Sequence, residues 1–328
     1  MQPAYYHNKS NFDGDVITVS ASGANAGYIW YHADKIFASD CSVIKSKDNS
    51  KFRTKTIYQL LHLLQGEIFN LQRGQAQPHV YISDLEGIKI PSLSIKQQDI
   101  FLKEIEKIEQ EEIKLFKSKG EFAEEIKKLV STTYNANHNF ISLETICSIV
   151  QYGISQKMNT ISNGYKIFRM NEIVSSKMFD GGAMKCVDIS EEEFKKYKLN
   201  KGDILFNRTN SFELVGKTGI FDLQGDYCFA SYLVRVVIDE KKANPWFINL
   251  MMNSDYYQQE AKSMATKSIN QSNINAQKMQ SIKTPLPDLK TQNEIAKKAI
   301  DLENKISTLE EKLSKIPAEK ENILKKYL

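Results

Sequence analysis

Gly216-Lys217-Thr218 ends as a nucleotide-phosphate loop ends, with a turn glycine, a lysine for the β- and γ-phosphates and a hydroxyl for Mg2+. Such a loop also needs a glycine five positions before Gly216, and that position is Ser211, so ATP binding is rejected. The stretch S-A-S-G-A-N-A-G (Ser20 to Gly27) lacks G-x-G-x-x-G spacing. Glu240-Lys241-Lys242 fits the E-x-K fragment of many nucleases, yet no placed upstream carboxylate completes a metal site, and the triplet is common in a chain with 44 Lys and Arg. Cys41, Cys147, Cys186 and Cys228 lie far apart without C-x-x-C spacing, and the five histidines are scattered. Neither a disulfide framework nor a metal site is expected, and no nucleophile–base arrangement emerges.

The elements that could position other chemistry are those of an ordinary folded protein. Hydrophobic residues make up 41% and charged residues 26% of 328 residues, a length that suggests two domains. No apolar run approaches the ~18 residues of a membrane span, and the N-terminus (MQPAYYHNKS) has no signal-peptide core. A cytoplasmic location without membrane association is the expectation. A net charge of +4 and a pI near 8.6 permit a polyanionic partner without demanding one.

An internal duplication organises the chain. Pro91, in G-I-K-I-P, and Pro285, in S-I-K-T-P, are 194 residues apart, and Gln77/Gln271, Ile88/Ile282, Lys89/Lys283 and Gln98/Gln292 match at the same offset. Phe37-Ala38-Ser39 matches Phe229-Ala230-Ser231, and Gly27 matches Gly219, at an offset of 192. Gly14-Asp15-Val16-Ile17 matches Gly202-Asp203-Ile204-Leu205 at 188. Each copy reads as a mixed, mostly β unit that ends in a long helix. Val16 to Ser20 and Ile204 to Phe206 are expected strands after a Gly-Asp turn. Tyr232 to Val237 is an expected interior strand, and Trp246 to Met252 an expected helix behind Pro245.

The helices carry the clearest periodicity. From Ile295 the apolar positions Ala299, Leu302, Ile306, Leu309, Leu313 and Ile316 alternate spacings of four and three, an a/d seam. Phe101, Ile105, Ile108 and Leu115 occupy the same register in the first copy, with Glu112 as the polar exception. Two helices in one register are expected to pair as an antiparallel coiled coil. The predicted class is therefore α+β: two mixed α/β units, the first incomplete, separated by two long helices. The predicted boundaries are 1–91, a helical spacer 92–134, 135–287 and a second spacer 288–328. Paired this way, the helices would hold the two units a set distance apart.

The landmarks G-D-I-L-F-N-R-T (Gly202 to Thr209), V-G-K-T-G-I-F (Val215 to Phe221), F-A-S-Y-L-V-R-V (Phe229 to Val236) and I-N-Q-S-N-I-N-A-Q-K-M-Q-S-I-K-T-P-L-P (Ile269 to Pro287) carry a resemblance. Together with the duplication, they resemble the specificity subunit of type I restriction-modification systems. That resemblance implies two target recognition domains, a bipartite DNA target and a non-catalytic role. It implies as partners double-stranded DNA, two methyltransferase (M) subunits held through the helical spacers, and ATP-dependent restriction (R) subunits. S-adenosylmethionine, ATP and Mg would reside on those subunits, and no cofactor on this chain. The chain departs from the pattern at its start: about sixty residues separate Ile141 from Gly202, whereas Gly14 has thirteen before it. The first recognition domain is thus expected to lack its opening third or more, as a natural truncation, an expression fragment or a chain completed by another polypeptide. Self-association by symmetry could serve an incomplete unit.

Base reading needs polar or bidentate side chains at base edges, and phosphate contact needs cations. Leaning on the resemblance, the candidates are Gln151, Tyr152, Ser155, Gln156 and Lys157; Arg208, Thr209 and Asn210; and Lys262, Lys267, Ser268, Asn270 and Gln271. Ser20, Ser22, Asn25, Arg73 and Gln75 are weaker candidates in the first unit. Arg235, inside an apolar strand, reads as structural. Asn244-Pro245-Trp246-Phe247 is similar to the N-P-P-F/Y motif of adenine methyltransferases but lacks its second proline, and is read as a helix start. Two other functions stay open: the recognition half of a type IIB-like restriction system, and a coiled-coil assembly module that binds protein and not DNA.

Overall fold

Val16 to Ser20 place Ile17 and Val19 on one face and form the central strand β1, paired antiparallel with β2 (Ile29–His32) and β3 (Cys41–Ile44). The computed structural model describes residues 8–74, 76–136, 139–161, 163–267 and 271–327. These fold as two compact units: Met1–Lys119 with Ser307–Leu328, and Gly120–Ile306. In the first, Ile17, Val19 and Ile29 pack against α1 (Thr54–Leu63), α2 (Gln65–Phe69) and α3 (Ile82–Leu85) through Leu61, Ile68 and Leu85. Each such buried aliphatic side chain contributes about 1.5–3 kcal/mol. The opposite face, with Thr18, Trp30, His32 and Val43, is only partly buried. There Thr18 Oγ1 and His32 Nε2 share a hydrogen bond. The 41-residue helix α4 (Ile95–Asn135) begins in this unit.

The second unit is more layered. It opens with β4 (Asn139–Ser142), β5 (Cys147–Tyr152), β6 (Met158–Asn159), β7 (Tyr165–Phe168), β8 (Ile173–Val174), β9 (Lys177–Met178) and β10 (Cys186–Val187). There follow α5 (Glu191–Tyr197), β11 (Ile204–Asn207), β12 (Thr209–Asn210), β13 (Thr218–Ile220), β14 (Tyr227–Phe229) and β15 (Leu233–Ile238). The last stretch holds α6 (Pro245–Met252), α7 (Asp255–Ser263), β16 (Thr266–Lys267), β17 (Ser272–Asn273), α8 (Ala276–Ser281), β18 (Lys283–Leu286) and the start of α9 (Leu289–Lys325), whose end belongs to the first unit. A six-stranded sheet, ordered β5-β15-β11-β13-β9-β8, is its centre. One face packs Ile204, Phe206, Val234 and Val236 on Phe247, Met251 and Tyr257 of α6 and α7. The other packs Leu205 and Leu233 under Phe168, Phe221, Tyr227 and Phe229, within reach of the four-stranded sheet β14-β7-β10-β6. Pro245 stands at the first turn of α6, where a missing N–H costs nothing, with Asn244 as its cap.

The duplication is visible in backbone bonds. In the first unit Gln98 donates to the Leu93 and Lys51 carbonyls and accepts from the Arg53 N–H; in the second Gln292 donates to the Pro287 carbonyl and accepts from the Asn244 N–H. Both glutamines are buried, and each ties the start of a long helix to the start of a short one. Val80 N–H donates to Ala21 O as Ile274 N–H donates to Arg208 O. The three strands β2-β1-β3 correspond to β13-β11-β15, the middle of the six-stranded sheet. Two landmarks need correcting: the partner of Gly27, and the Gly14-Asp15-Val16-Ile17 match, which shifts by one residue so that Ile17 corresponds to Ile204 and Thr18 to Leu205. Gly27 N–H bonds Ser20 O as Gly216 N–H bonds Asn207 O, and both glycines have positive φ (84° and 92°). Gly216, not Gly219, is therefore the counterpart of Gly27, because the left-handed turn and not the strand interior needs glycine. The phosphate-loop look-alike at Gly216 is this turn.

Helix pairing is antiparallel within each unit. In the first, Phe101, Ile105 and Ile108 of α4 pack with Ile323, Leu324 and Tyr327, and Glu104, Glu112 and Lys119 pair with Lys326, Lys320 and Glu310. Glu112, the polar exception of the seam, thus has its own partner. In the second, Glu125 pairs with Lys298, and Lys305 lies over the Phe122 ring. Leu115, Leu302 and Ile316 are buried, while Ile295, Ile306, Leu309 and Leu313 are half-buried, so one stripe of α9 is covered and the rest faces water.

Candidate nucleic-acid interface

Where β11 leaves the sheet, Arg208 is fixed by its backbone: its N–H donates to Tyr232 O at 3.0 Å and its carbonyl accepts from Ile274 N–H at 2.9 Å. The next residues, Thr209 and Asn210, form β12, which pairs with β17, which in turn pairs with β16. This small sheet brings residues 65 positions apart together. The Arg208 guanidinium lies 4.8 Å from the Tyr152 ring centroid, and its Nη2 donates to Asn273 Oδ1 at 3.3 Å. Asn273 Nδ2 donates to Thr209 Oγ1 at 2.8 Å. Tyr152, half-exposed at the end of β5, accepts at its hydroxyl from the Ala276 N–H at 3.1 Å. A cation is thus stacked on one aromatic ring and anchored by one amide.

The neighbouring loop adds to this group. Asn210 Oδ1 accepts from the Ser211 N–H, and a backbone hydrogen bond of its own, then the Ser211 hydroxyl, hold the Glu213 carboxyl below the usual carboxylate range. Lys262, half-buried at the end of α7, pulls in the same direction. Gln271 is exposed. Ser268 and Asn270 lie outside the described residues, as does the side chain of Lys267.

Strand alternation separates other candidates from this group. Gln151, adjacent to Tyr152, points to the opposite face and donates to the Lys196 carbonyl at the end of α5. Arg235 donates to the neighbouring Lys198 carbonyl at 2.7 Å and sits 3.6 Å from Asp203, buried as a strand residue. Burial pushes Asp203 up more than Arg235 pulls it down. Ser155 and Lys157 are exposed in the loop after β5, and the amide of Gln156 between them donates to Glu193.

In the first unit Ser20 ends β1 and Asn25 lies within the β1–β2 turn, and the Ser22 hydroxyl donates to Asp40. Ser22 bridges His79 as Thr209 pairs with Asn273. Arg73 is ion-paired with Asp84, and Gln75 lies outside the described residues. Sequence reasoning missed Asn273, although N-x-N (Asn273, Asn275) stands inside the most diagnostic stretch. Among the described residues, no three His, Cys, Asp or Glu side chains converge on a point that could hold a metal, and no helix is long and apolar enough to cross a membrane.

Comparison with known proteins gives these features a family. The sequence profile of the type I restriction modification DNA specificity domain matches twice, over residues 2–128 and 129–318. A specificity subunit assigned to the type I restriction enzyme MjaX of Methanocaldococcus jannaschii is 30% identical over 56% of this chain and 44% of its own. The EcoKI specificity subunit of Escherichia coli is 26% identical over 57% of this chain and 41% of its own. The aligned part is thus less than half the length of either curated relative. The crystal structure of the type I S subunit from M. genitalium has the same fold, with a TM-score of 0.60 at 16% identity, covering 99% of this chain and 86% of that one.

Proposed function

The chain belongs to the type I restriction modification DNA specificity family, and from that premise we propose that it reads a two-part sequence on double-stranded DNA for a methyltransferase. One part falls to each unit, because half-site spacing mirrors protein geometry. Chemistry is left to the partners: two methyltransferase subunits carrying S-adenosylmethionine, and restriction subunits carrying ATP and Mg. The chain supplies the address and works in the cytoplasm. The helices α4 and α9 set the spacing between the two parts, so residues inserted between Phe101 and Lys119 alter the tolerated gap and not the bases read.

One observation carries this reading. The same framework is built twice, down to the paired glutamines Gln98 and Gln292. In the second copy it presents an arginine, a threonine and an asparagine from strand ends in one cluster, the donors that base edges require.

The test is co-purification with a methyltransferase subunit, followed by duplex affinity as a function of salt. A stable complex whose affinity falls steeply with salt fits phosphate contact with counterion release. A complex with salt-independent affinity, or none, would leave protein assembly as the function.

A further inference from the structure

The chain has five arginines, and four sit beside a carboxylate: Arg53 with Asp99, Arg73 with Asp84, Arg169 with Glu172 and Arg235 with Asp203. Arg208 is the exception. Among the described residues no carboxylate pairs with it, and its charge is held in place by neutral groups, the Tyr152 ring and the Asn273 amide. Its Nε is buried without an acceptor, as are those of Arg169 and Arg235, and the ring and the amide are what fix its orientation. A cation that served only to stabilise the fold would gain more from an acid, as the other four do. An oriented, uncompensated guanidinium is instead a receptor for an external pair of acceptors.

We propose that Arg208 reads a guanine in the part of the target assigned to the second unit, with Asn273 and Tyr152 as positioning residues. This rests on the DNA-recognition reading above and gives it a base. Guanine presents O6 and N7 side by side in the major groove, the acceptor pair that an arginine fork meets bidentately. A phosphate contact needs no such clamping, and the flexible lysines nearby, such as Lys262, suit that role. The hydroxyl and amides around the fork, Thr209, Asn210 and Asn273, are base-edge chemistry too.

The first unit shows the contrast. Its backbone counterpart of Arg208 is Ala21, and His79 takes the place of Asn273. The fork belongs to one unit alone, so its loss relaxes one part of the target.

The experiment uses the full chain in complex with its methyltransferase subunit, and maps adenine methylation across a genome. Variants are Arg208→Lys, Arg208→Ala, Asn273→Ala and Asn273→Asp, each checked by thermal unfolding. The Arg208→Lys variant keeps the charge and removes the fork. It should relax one guanine position, by roughly 5- to 150-fold in preference, while the other part of the motif is unchanged. Asn273→Ala should relax the same position more weakly. Asn273→Asp, which gives Arg208 the acid the other arginines have, should weaken it more than Asn273→Ala does.

Affinity of the same proteins for a duplex carrying the wild-type motif, measured against salt, separates the alternatives. A uniform loss at every sequence with a salt slope reduced by about one marks a phosphate contact and overturns the proposal. An unchanged motif in both Arg208 variants overturns it as well. If the wild-type complex methylates nothing and binds no duplex, the recognition reading itself fails, and this inference with it.

Discussion

The two units share a scaffold and differ in what covers it. In the second unit the β13-β11-β15 core is flanked by further strands, and its outer face lies under an aromatic layer, so Leu205 and Phe229 are fully buried. In the first unit β2-β1-β3 has a single apolar layer. The residue matching Phe229 is Phe37, 51% exposed, and Thr18 stands where the second unit has Leu205. The paired glutamines are kept in both, whereas Arg208 and Asn273 have no like counterparts. Duplication preserved what holds each helix to its unit. The chemistry at the strand ends was free to diverge.

The largest effect that can break this comparison is at the matched phenylalanines. Phe229→Ala should cost the second unit about 3–5 kcal/mol, as buried Phe→Ala does, while Phe37→Ala should cost less than about 1 kcal/mol. Denaturant unfolding followed by peptide-resolved hydrogen exchange assigns each loss to its unit. Equal losses would show that the outer face of β1–β3 is as well covered as that of β11.

Next come the glutamines. Gln98→Ala and Gln292→Ala each strand a backbone N–H and at least one carbonyl, for about 2–5 kcal/mol. Similar losses, each confined to its own unit, sharpen the equivalence; a large loss from one variant only would refute it. A smaller change is expected from Leu309→Asp, about 1–3 kcal/mol, since the site is half-buried on the α9 stripe. Unchanged thermal stability there would contradict the packing of α9 along that stripe.

The smallest effect is one of pH. Among the described residues, histidines occur only in the first unit. Burial holds His32 below the usual imidazole range, and burial followed by the charge of Lys320 does the same for His62. With folded values below the unfolded value of about 6.5, the unfolded chain takes up protons first. Their stability contribution is therefore complete above about pH 6.5 and is lost as pH falls. In the second unit Asp203 and Glu303 are raised by burial, and their contribution runs the other way, lost as pH rises. Hydrogen exchange at pH 7.5 and 5.5 should show protection falling in the first unit only. An equal fall in both would contradict this assignment.

How much was legible in advance follows from the range of each interaction. The strands at Val16 and Ile204, the helix behind Pro245 and the a/d seam are local patterns, and the structure has them. The match of Gln98 with Gln292 was visible, but its meaning needed the Arg53 and Asn244 N–H groups, 45 and 48 residues away. Arg208 is a candidate through the resemblance, whereas its setting depends on Tyr152 and Asn273 arriving from other elements. Gln151 and Tyr152 stand side by side in the sequence, and strand alternation turns them to opposite faces. The sequence ranks Arg73 below Arg208 only by the unit it stands in, and the fold alone brings Asp84 beside it.

The most direct test of recognition by two unlike units is a genome-wide adenine methylation map of the wild-type chain expressed with its methyltransferase subunit. Methylation confined to a motif of two different parts, separated by a fixed gap, is the predicted result. A stable complex whose methylation shows two identical parts, or no motif at all, would contradict it.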